Sequence, residues 1–306
     1  MLAGDSLVSA LSTRRLLFDG GLGTALIAAG LDLSVEPPEA WLVHHPERIF
    51  AVHRAFAQAG ADVLQTGSFG LLRLLRAGQI PAATDDAQAQ ALHLAQRSVA
   101  LAQGAGAPFV VASLGPSGPP PQASQIAALA DQTEALTAAF AKAGAAALHI
   151  ETACDPADLG ALLEGAGRTS LPIVASVTVS LGQSGLETPL GVPLARMLKA
   201  IESAPVRPVM VGVNCSLPAR RMRRAVSELA DWAAGLRGPR PWVLAQPQVD
   251  EPAPDCKRPP APETPERFAQ DLLQLGHDGA DHLGGCCGCR PEHIAAVAAR
   301  LRAQSI

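Results

Sequence analysis

The chain has no tyrosine, and phenylalanine and tryptophan bring its aromatic share to only 3%. An aromatic cage around a cationic ligand would have few residues to draw on. There is no excess of basic charge either: 24 Lys and Arg stand against 28 Asp and Glu, a net charge of −4, which argues against a nucleic-acid groove. No apolar run is long enough to span a membrane, so no membrane partner is expected. Met1-Leu2-Ala3-Gly4-Asp5 has no basic region ahead of an apolar core, so no secretory signal is expected. Six cysteines in 306 residues do not make a disulfide scaffold. Free thiols and thiolate-bound metal suit a reducing compartment, and a cytoplasmic location is the expectation.

What the chain does have is apolar, 48% of its residues, much of it Ala, Leu and Val. Short apolar segments recur between amphipathic ones. Strands are expected at 16–18, 61–66, 109–114, 147–151, 172–179, 208–214, 242–245 and 280–283. Helices are expected at 1–14, after the run Asp19–Thr24 through about Ala29, and at 46–59, 84–105, 124–143, 156–167, 193–203, 218–235, 265–276 and 291–303. Between 180 and 192 a Gly-rich loop is expected, and between 246 and 265 a proline-rich one. Eight strands alternating with helices imply parallel pairing through crossover helices, and eight such units imply a closed barrel. The expected class is therefore α/β, a single (β/α)8 TIM barrel formed as one domain over residues 1–306. A doubly wound open sheet is the alternative.

Two adjacent cysteines stand between glycines in Gly284-Gly285-Cys286-Cys287-Gly288. A vicinal pair seldom forms a disulfide, because the backbone would have to strain to close it. It suits a soft metal better, with a third thiolate from elsewhere. Cys215, in Gly212-Val213-Asn214-Cys215, is the candidate; alone it would read as a small buried hydrophobe. Three thiolates leave zinc one open position, as a catalytic site requires. Such a site is poor for splitting water and good for holding a fourth thiol as thiolate, the nucleophilic form. The reaction this suggests is alkyl transfer to sulfur. A closed site with Cys289 as fourth ligand is the competing arrangement, and Cys154 and Cys256 are expected to be free thiols.

In a barrel, active sites form at the C-terminal ends of the strands. Asp19, Thr66, Glu151, Cys215 and Cys286-Cys287 all fall there. Glu151 at that mouth would pair with the ammonium of an amino-acid substrate; by itself it could equally be a solvated charge. Asp19-Gly20-Gly21-Leu22-Gly23-Thr24 offers a second carboxylate and backbone N–H groups for a substrate carboxylate at a helix N-terminus. Read as a dinucleotide loop, that run fails, because Leu26 stands where a third small residue belongs. Asn214, the one asparagine in the chain, is expected to orient groups near the metal. His149 reads as a core histidine, and Arg220-Arg221-x-Arg223-Arg224 as a solvated helix face.

With these residues in view, the sequence resembles the zinc-dependent homocysteine S-methyltransferases. This family includes enzymes that use S-methylmethionine or betaine, and the homocysteine-binding module of cobalamin-dependent methionine synthase. The resemblance covers nearly the whole chain. It rests on Phe18-Asp19-Gly20-Gly21-Leu22-Gly23-Thr24, Gly60-Ala61-Asp62, Glu151-Thr152, Gly212-Val213-Asn214-Cys215 and Gly284-Gly285-Cys286-Cys287-Gly288 with Pro291-x-His293-Ile294. It implies a (β/α)8 barrel, Zn2+ on Cys215, Cys286 and Cys287, and homocysteine held by Asp19, Gly20 and Glu151. It also implies a methyl donor: a sulfonium such as S-methylmethionine or S-adenosylmethionine first, for which Trp41 could offer a cation–π face, then betaine, then a corrinoid partner protein. A zinc- and thiol-binding barrel without methyl transfer is the non-enzymatic alternative. Three segments depart from the family's usual pattern: Thr66-Gly67-Ser68-Phe69 lacks an asparagine, Ser117 stands for a tyrosine, and Gln246-Pro247-Gln248 replaces a Pro-Asn run.

Overall fold

Seven of the expected strands form one parallel sheet in the computed structural model, which describes residues 3–81, 86–183, 185–249 and 263–304. They are β1 (Val63–Gln65), β2 (Phe109–Leu114), β3 (Ala147–Ala153), β4 (Ile173–Val177), β7 (Met210–Pro218), β8 (Trp242–Gln248) and β9 (His282–Leu283), paired in that order. The intervening β5 (Ser180–Gly182) and β6 (Gly185–Glu187) form a separate antiparallel hairpin. That hairpin stands where the sequence reads as a Gly-rich loop. The eighth strand is the segment at 16–19. Leu17 bridges Leu283 and Phe18 bridges Val63, both in parallel, so the segment lies between the last strand and the first and closes the ring. The Phe18 N–H donates to the Leu283 carbonyl at 2.7 Å, and the Asp19 N–H to that of Val63 at 3.0 Å.

The helices fall where the amphipathic segments are, for example Pro46–Gln58, Ala87–Gly104, Ile126–Lys142 and Ala219–Gly235. Local chemistry sets several starts. Asp155 accepts from the Ala157 and Asp158 N–H groups with Pro156 in the first turn, and Thr264 caps Pro265–His277 in the same way. The short helix Leu71–Arg76, after β1, is an addition to the sequence reading. The four arginines at 220–224 are exposed on Ala219–Gly235, with Arg223 forked onto Asp278 at 2.7 and 2.9 Å. Cys256 and most of the proline-rich loop lie outside the described residues.

Side chains two apart on a strand share a face. Phe18, Val63, Val111, Ala147, Val174 and Met210 pack as an apolar floor inside the barrel, joined by Leu7 and Leu11 of the helix Ala3–Thr13, which plugs that end. Two residues further along, the inward positions of β1, β2, β3, β4 and β8 turn polar while staying buried: Gln65, Ser113, His149, Ser176 and Gln246. Glu151 and Asn214 come two further on. The outward faces, such as Leu64, Leu148, Ile150, Val211 and Val243, bury against the helix ring. The barrel is thus dry at its base and polar toward the C-terminal ends of its strands.

A buried histidine sits outside that gradient. His53, on Pro46–Gln58, is fully buried, and neither ring nitrogen has a partner among the described residues. Burial lowers its pKa from 6.5 to about 4, so the folded chain keeps it neutral. The unfolded chain takes up a proton below about 6.5, so this histidine's native state is fully favoured above that pH and loses stability as pH falls toward 4. Replacing it should remove both the orphaned nitrogens and the titration. His53→Leu is expected to be more stable than the parent by about 1 kcal/mol at pH 7. The gap should widen by about 2 kcal/mol by pH 5. Urea titrations at the two pH values check this, and a gap that stays constant rejects it.

Candidate metal and substrate site

Two strands end irregularly at the mouth. The β3–β4 register shifts between Ile150 and Ala153, and the β7–β8 register between Asn214 and Pro218. Thr152, Cys215 and Ser216 hold φ values of 60°, 60° and 56°, the left-handed region that non-glycine residues rarely occupy. Such bulges re-aim side chains, and strained backbone of this kind gathers at functional sites. Asn214 braces both. Its Oδ1 accepts from the Thr152 N–H at 2.9 Å, and its Nδ2 donates to Thr152 Oγ1 at 2.8 Å and Glu151 Oε2 at 3.3 Å. The asparagine therefore orients the carboxylate strand from the cysteine strand.

The loop after β9 is fixed through its backbone. The Gly285 N–H donates to the Asp19 carbonyl at 2.8 Å, and the Cys286 N–H to that of Pro247 at 2.9 Å. The Val249 N–H donates to the Cys287 carbonyl at 2.9 Å, and the Gly288 N–H to Thr24 Oγ1 at 3.1 Å. Two glycines permit this packing. A Cβ on Gly21 would lie 2.6 Å from the Cys286 carbonyl, and one on Gly285 would collide with Cys289. Cys289 is fully buried in the core behind the loop.

The result is a cluster of three sulfurs. Those of Cys215, Cys286 and Cys287 all lie within 4.8 Å of one another, with Cys215 and Cys287 3.5 Å apart. Thiolates around one zinc at about 2.3 Å in tetrahedral geometry stand about 3.8 Å apart, so the donor set fits that ion. Cys287 is exposed, leaving one side open. Hydrogen bonds from Cys286 and Cys287 lower the Cys215 thiol to about 3. Donating to Cys215 in turn raises Cys287 to about 11, and Cys286 well above the ordinary thiol range.

Gln65 joins the two carboxylates beside it. Its backbone N–H donates to Asp19 Oδ2 at 2.9 Å, and its side-chain Nε2 to Glu151 Oε1 at 2.9 Å. Ser113 Oγ also donates to Glu151. Burial, first among the causes, raises Glu151 to about 7 and Asp19 well above the carboxylate range, and each carboxylate feels a like charge nearby. Asp19 Oδ1 is buried with no partner among the described residues. Of the run at 19–24, the Gly21 N–H is already bonded to the Cys289 carbonyl at 3.0 Å.

The structure brings Asp19, Glu151, Cys215, Cys286 and Cys287 to one end of the barrel, and it corrects other sequence expectations. Cys289 is outside the sulfur cluster, so the closed four-thiolate arrangement is not formed. Thr66 faces its neighbours, accepting from the Ser113 N–H at 3.0 Å, and Gln65 reaches the carboxylates instead. Trp41 is buried, its Nε1–H bonded to Glu36 at 2.8 Å and its ring covered by Arg48 at 5.1 Å, so it has no free face for a cationic donor. His149 is buried as expected, with Nε2 2.7 Å from Ser176 Oγ, though Nδ1 has no partner among the described residues. Ser117, at the tyrosine position, bonds buried Asp158 and Arg76. Sequence reasoning missed Gln65, Ser113 and Gln246. Their signal was a polar residue two positions past an inward apolar one.

Residues 16–301 match the family described as homocysteine S-methyltransferase, and the chain belongs to that family. It is 29% identical over a 322-residue alignment to methionine synthase of Mycobacterium tuberculosis, covering 98% of this chain and 26% of that protein. With methionine synthase of Mycobacterium leprae the identity is 27%, over 96% of this chain and 25% of the relative. The chain thus spans about a quarter of the length of these curated relatives. Among solved structures it is similar to the Escherichia coli homocysteine methyltransferase MmuM. The metallated form superposes with a TM-score of 0.72 at 25% identity, covering 97% of this chain and 99% of that one. The apo form gives 0.70 at 26%, covering 95% and 97%. Among the described residues, no helix is long and apolar enough to cross a membrane.

Proposed function

We propose that this chain, acting as one homocysteine-binding barrel, methylates the sulfur of homocysteine to give methionine, with zinc on Cys215, Cys286 and Cys287. The observation that carries the reading is the open three-sulfur cluster beside two carboxylates, buried Asp19 and half-buried Glu151. Bound zinc would supply the Lewis acidity that keeps the substrate sulfur deprotonated near neutral pH. Glu151 and Asp19 accept hydrogen bonds from the ammonium group, and Asn214 and Ser113 hold Glu151 in place. Gly20, in the run leading into helix Leu22–Ala28, lies at the carboxylate end of the substrate. So held, the thiolate lone pair attacks the donor's methyl carbon. The carbon–sulfonium bond breaks, and its electron pair stays on the donor sulfur as a neutral thioether.

A sulfonium such as S-methylmethionine or S-adenosylmethionine is the donor we favour, because it needs little activation. Betaine fits less well, since a quaternary ammonium relies on aromatic faces, Trp41 is covered, and the chain has no tyrosine. One observation favours a second reading: the curated relatives are methionine synthases about four times as long. On that reading a corrinoid partner protein delivers the methyl group. Free thiols of this kind belong in a reducing compartment such as the cytoplasm. The test is to incubate zinc-loaded protein with L-homocysteine and each donor and follow methionine. Turnover with a sulfonium alone supports the first reading, and turnover only with an added corrinoid protein supports the second. Homocysteine binding without transfer from any donor would leave a thiol-binding barrel.

A further inference from the structure

Glu39 is a buried carboxylate that the proposed reaction does not use. It lies in the connection after the closing segment, where Pro37 and Pro38 lead into a short 3-10 turn, Pro38–Ala40. Its side chain is only 2% exposed and reaches the neighbouring connection, the one after β1. There Oε1 accepts from the Gly70 N–H at 2.5 Å, while Oε2 is buried with no partner among the described residues. Gly70 admits the carboxylate, since a Cβ on it would lie 2.8 Å from Oε1 and 3.1 Å from Oε2. Burial raises the Glu39 carboxyl above its ordinary value, and the Gly70 bond and the Arg73 charge offset part of that. A half-paired buried carboxyl costs stability, so its presence calls for a reason.

The reason lies in what Gly70 terminates. Residues 66–70 form a loop that grips β2. Thr66 Oγ1 accepts from the Ser113 N–H at 3.0 Å and donates to Ser68 Oγ at 2.6 Å, and Ser68 Oγ donates to the Ser113 carbonyl at 2.8 Å. The Gly115 N–H donates to the Phe69 carbonyl at 2.7 Å. Ser113 is thus held by both of its backbone groups, and its hydroxyl donates to Glu151. At the far end of the loop the Gly70 N–H relies on Glu39. A buried N–H deprived of its acceptor recovers a bond only by turning toward water or another acceptor. That turn would start two residues from Ser68 and loosen the grip on Ser113.

We propose that Glu39 is a positioning residue: through Gly70 and the loop 66–70 it fixes Ser113, and Ser113 fixes the Glu151 carboxylate. The proposal rests on the homocysteine reading. It adds a residue that lies outside the sulfur cluster and has no hydrogen bond to Asp19 or Glu151 among the described residues.

The test measures calorimetric Kd values for L-homocysteine on zinc-loaded protein. Glu39→Met should weaken binding about 10-fold with parental zinc content, and Glu39→Gln, which keeps the acceptor, should restore it. Ser113→Ala should cost about as much, and adding Glu39→Met to it should change Kd by less than about twofold, because both act through one hydroxyl. A merely structural role would lower thermal stability without this non-additivity. Parental Kd in Glu39→Met, no rescue by Glu39→Gln, or losses that multiply to about 100-fold in the double variant would overturn the proposal and leave the homocysteine reading intact. If Glu39→Met does not fold, Glu39→Asp, one methylene too short to reach Gly70, decides by the same outcomes. A parent that does not bind homocysteine sinks the homocysteine reading and this proposal with it.

Discussion

Cys287→Ala is expected to come off a desalting column without zinc and to make no methionine above background. The residue is the exposed member of the cluster, 3.5 Å from Cys215 across the gap between β7 and the last loop. With one thiolate gone, two donors remain for an ion that is held by at least three in catalytic sites. Metal affinity should fall on the order of 10³-fold, since each thiolate carries a sizeable share of a binding energy of ten or more kcal/mol. The fold should survive, because the loop keeps its backbone bonds to Asp19, Pro247 and Thr24. Metal content by mass spectrometry and circular dichroism on the same sample separate the two effects. Cys154→Ala and Cys256→Ala are the controls and should keep both zinc and turnover. Cys289→Ala should keep its zinc as well. If it releases the ion along with Cys287→Ala, the site is a closed four-thiolate one and the proposed chemistry fails.

Glu151→Gln should behave differently. The carboxylate accepts from Gln65, Ser113 and Asn214, and a carboxamide of the same shape can keep part of that network. What it loses is the charge opposite the substrate ammonium. Breaking a buried charge pair by removing one member costs about 2–5 kcal/mol, so kcat/KM for homocysteine should drop on the order of 10²- to 10³-fold. Most of the loss should appear in KM, because the ammonium is remote from the reacting sulfur and is held equally before and during transfer. Zinc content should be unchanged. A variant with parental KM would remove Glu151 from the substrate site, and a variant that loses zinc would mean that the residue supports the sulfur cluster.

Much of this was legible in the sequence, for reasons that differ by element. The parallel strands could be read because each is a short apolar run between amphipathic helices, and burial on both faces leaves no other use for such runs. The cysteine cluster could be read because three thiols at strand ends have few other uses. Gln65 and Gln246 escaped because one glutamine carries no signal of its own. Only the alternation Val63–Gln65, Ala147–His149–Glu151 and Leu244–Gln246 shows that these side chains turn inward in successive layers. Trp41 was misjudged because its indole partner, Glu36, is local, and nothing in the sequence shows that Arg48 covers the ring. The β5–β6 hairpin was hidden because glycine-rich runs serve loops and tight hairpins alike.

The ring closes through residues 16–19, which touch the last strand and the first through one bridge each. The sulfur loop crosses that closure, with Gly285 held by Asp19, the Gly21 N–H by Cys289, and Gly288 by Thr24. An ion tying the loop to Cys215 would act as a clasp, fastening the closing segment to a strand well inside the sheet. The amide protons of Phe18, Asp19 and Gly285 should then exchange with solvent more slowly in loaded protein, while those of β3 and β4 stay as they were.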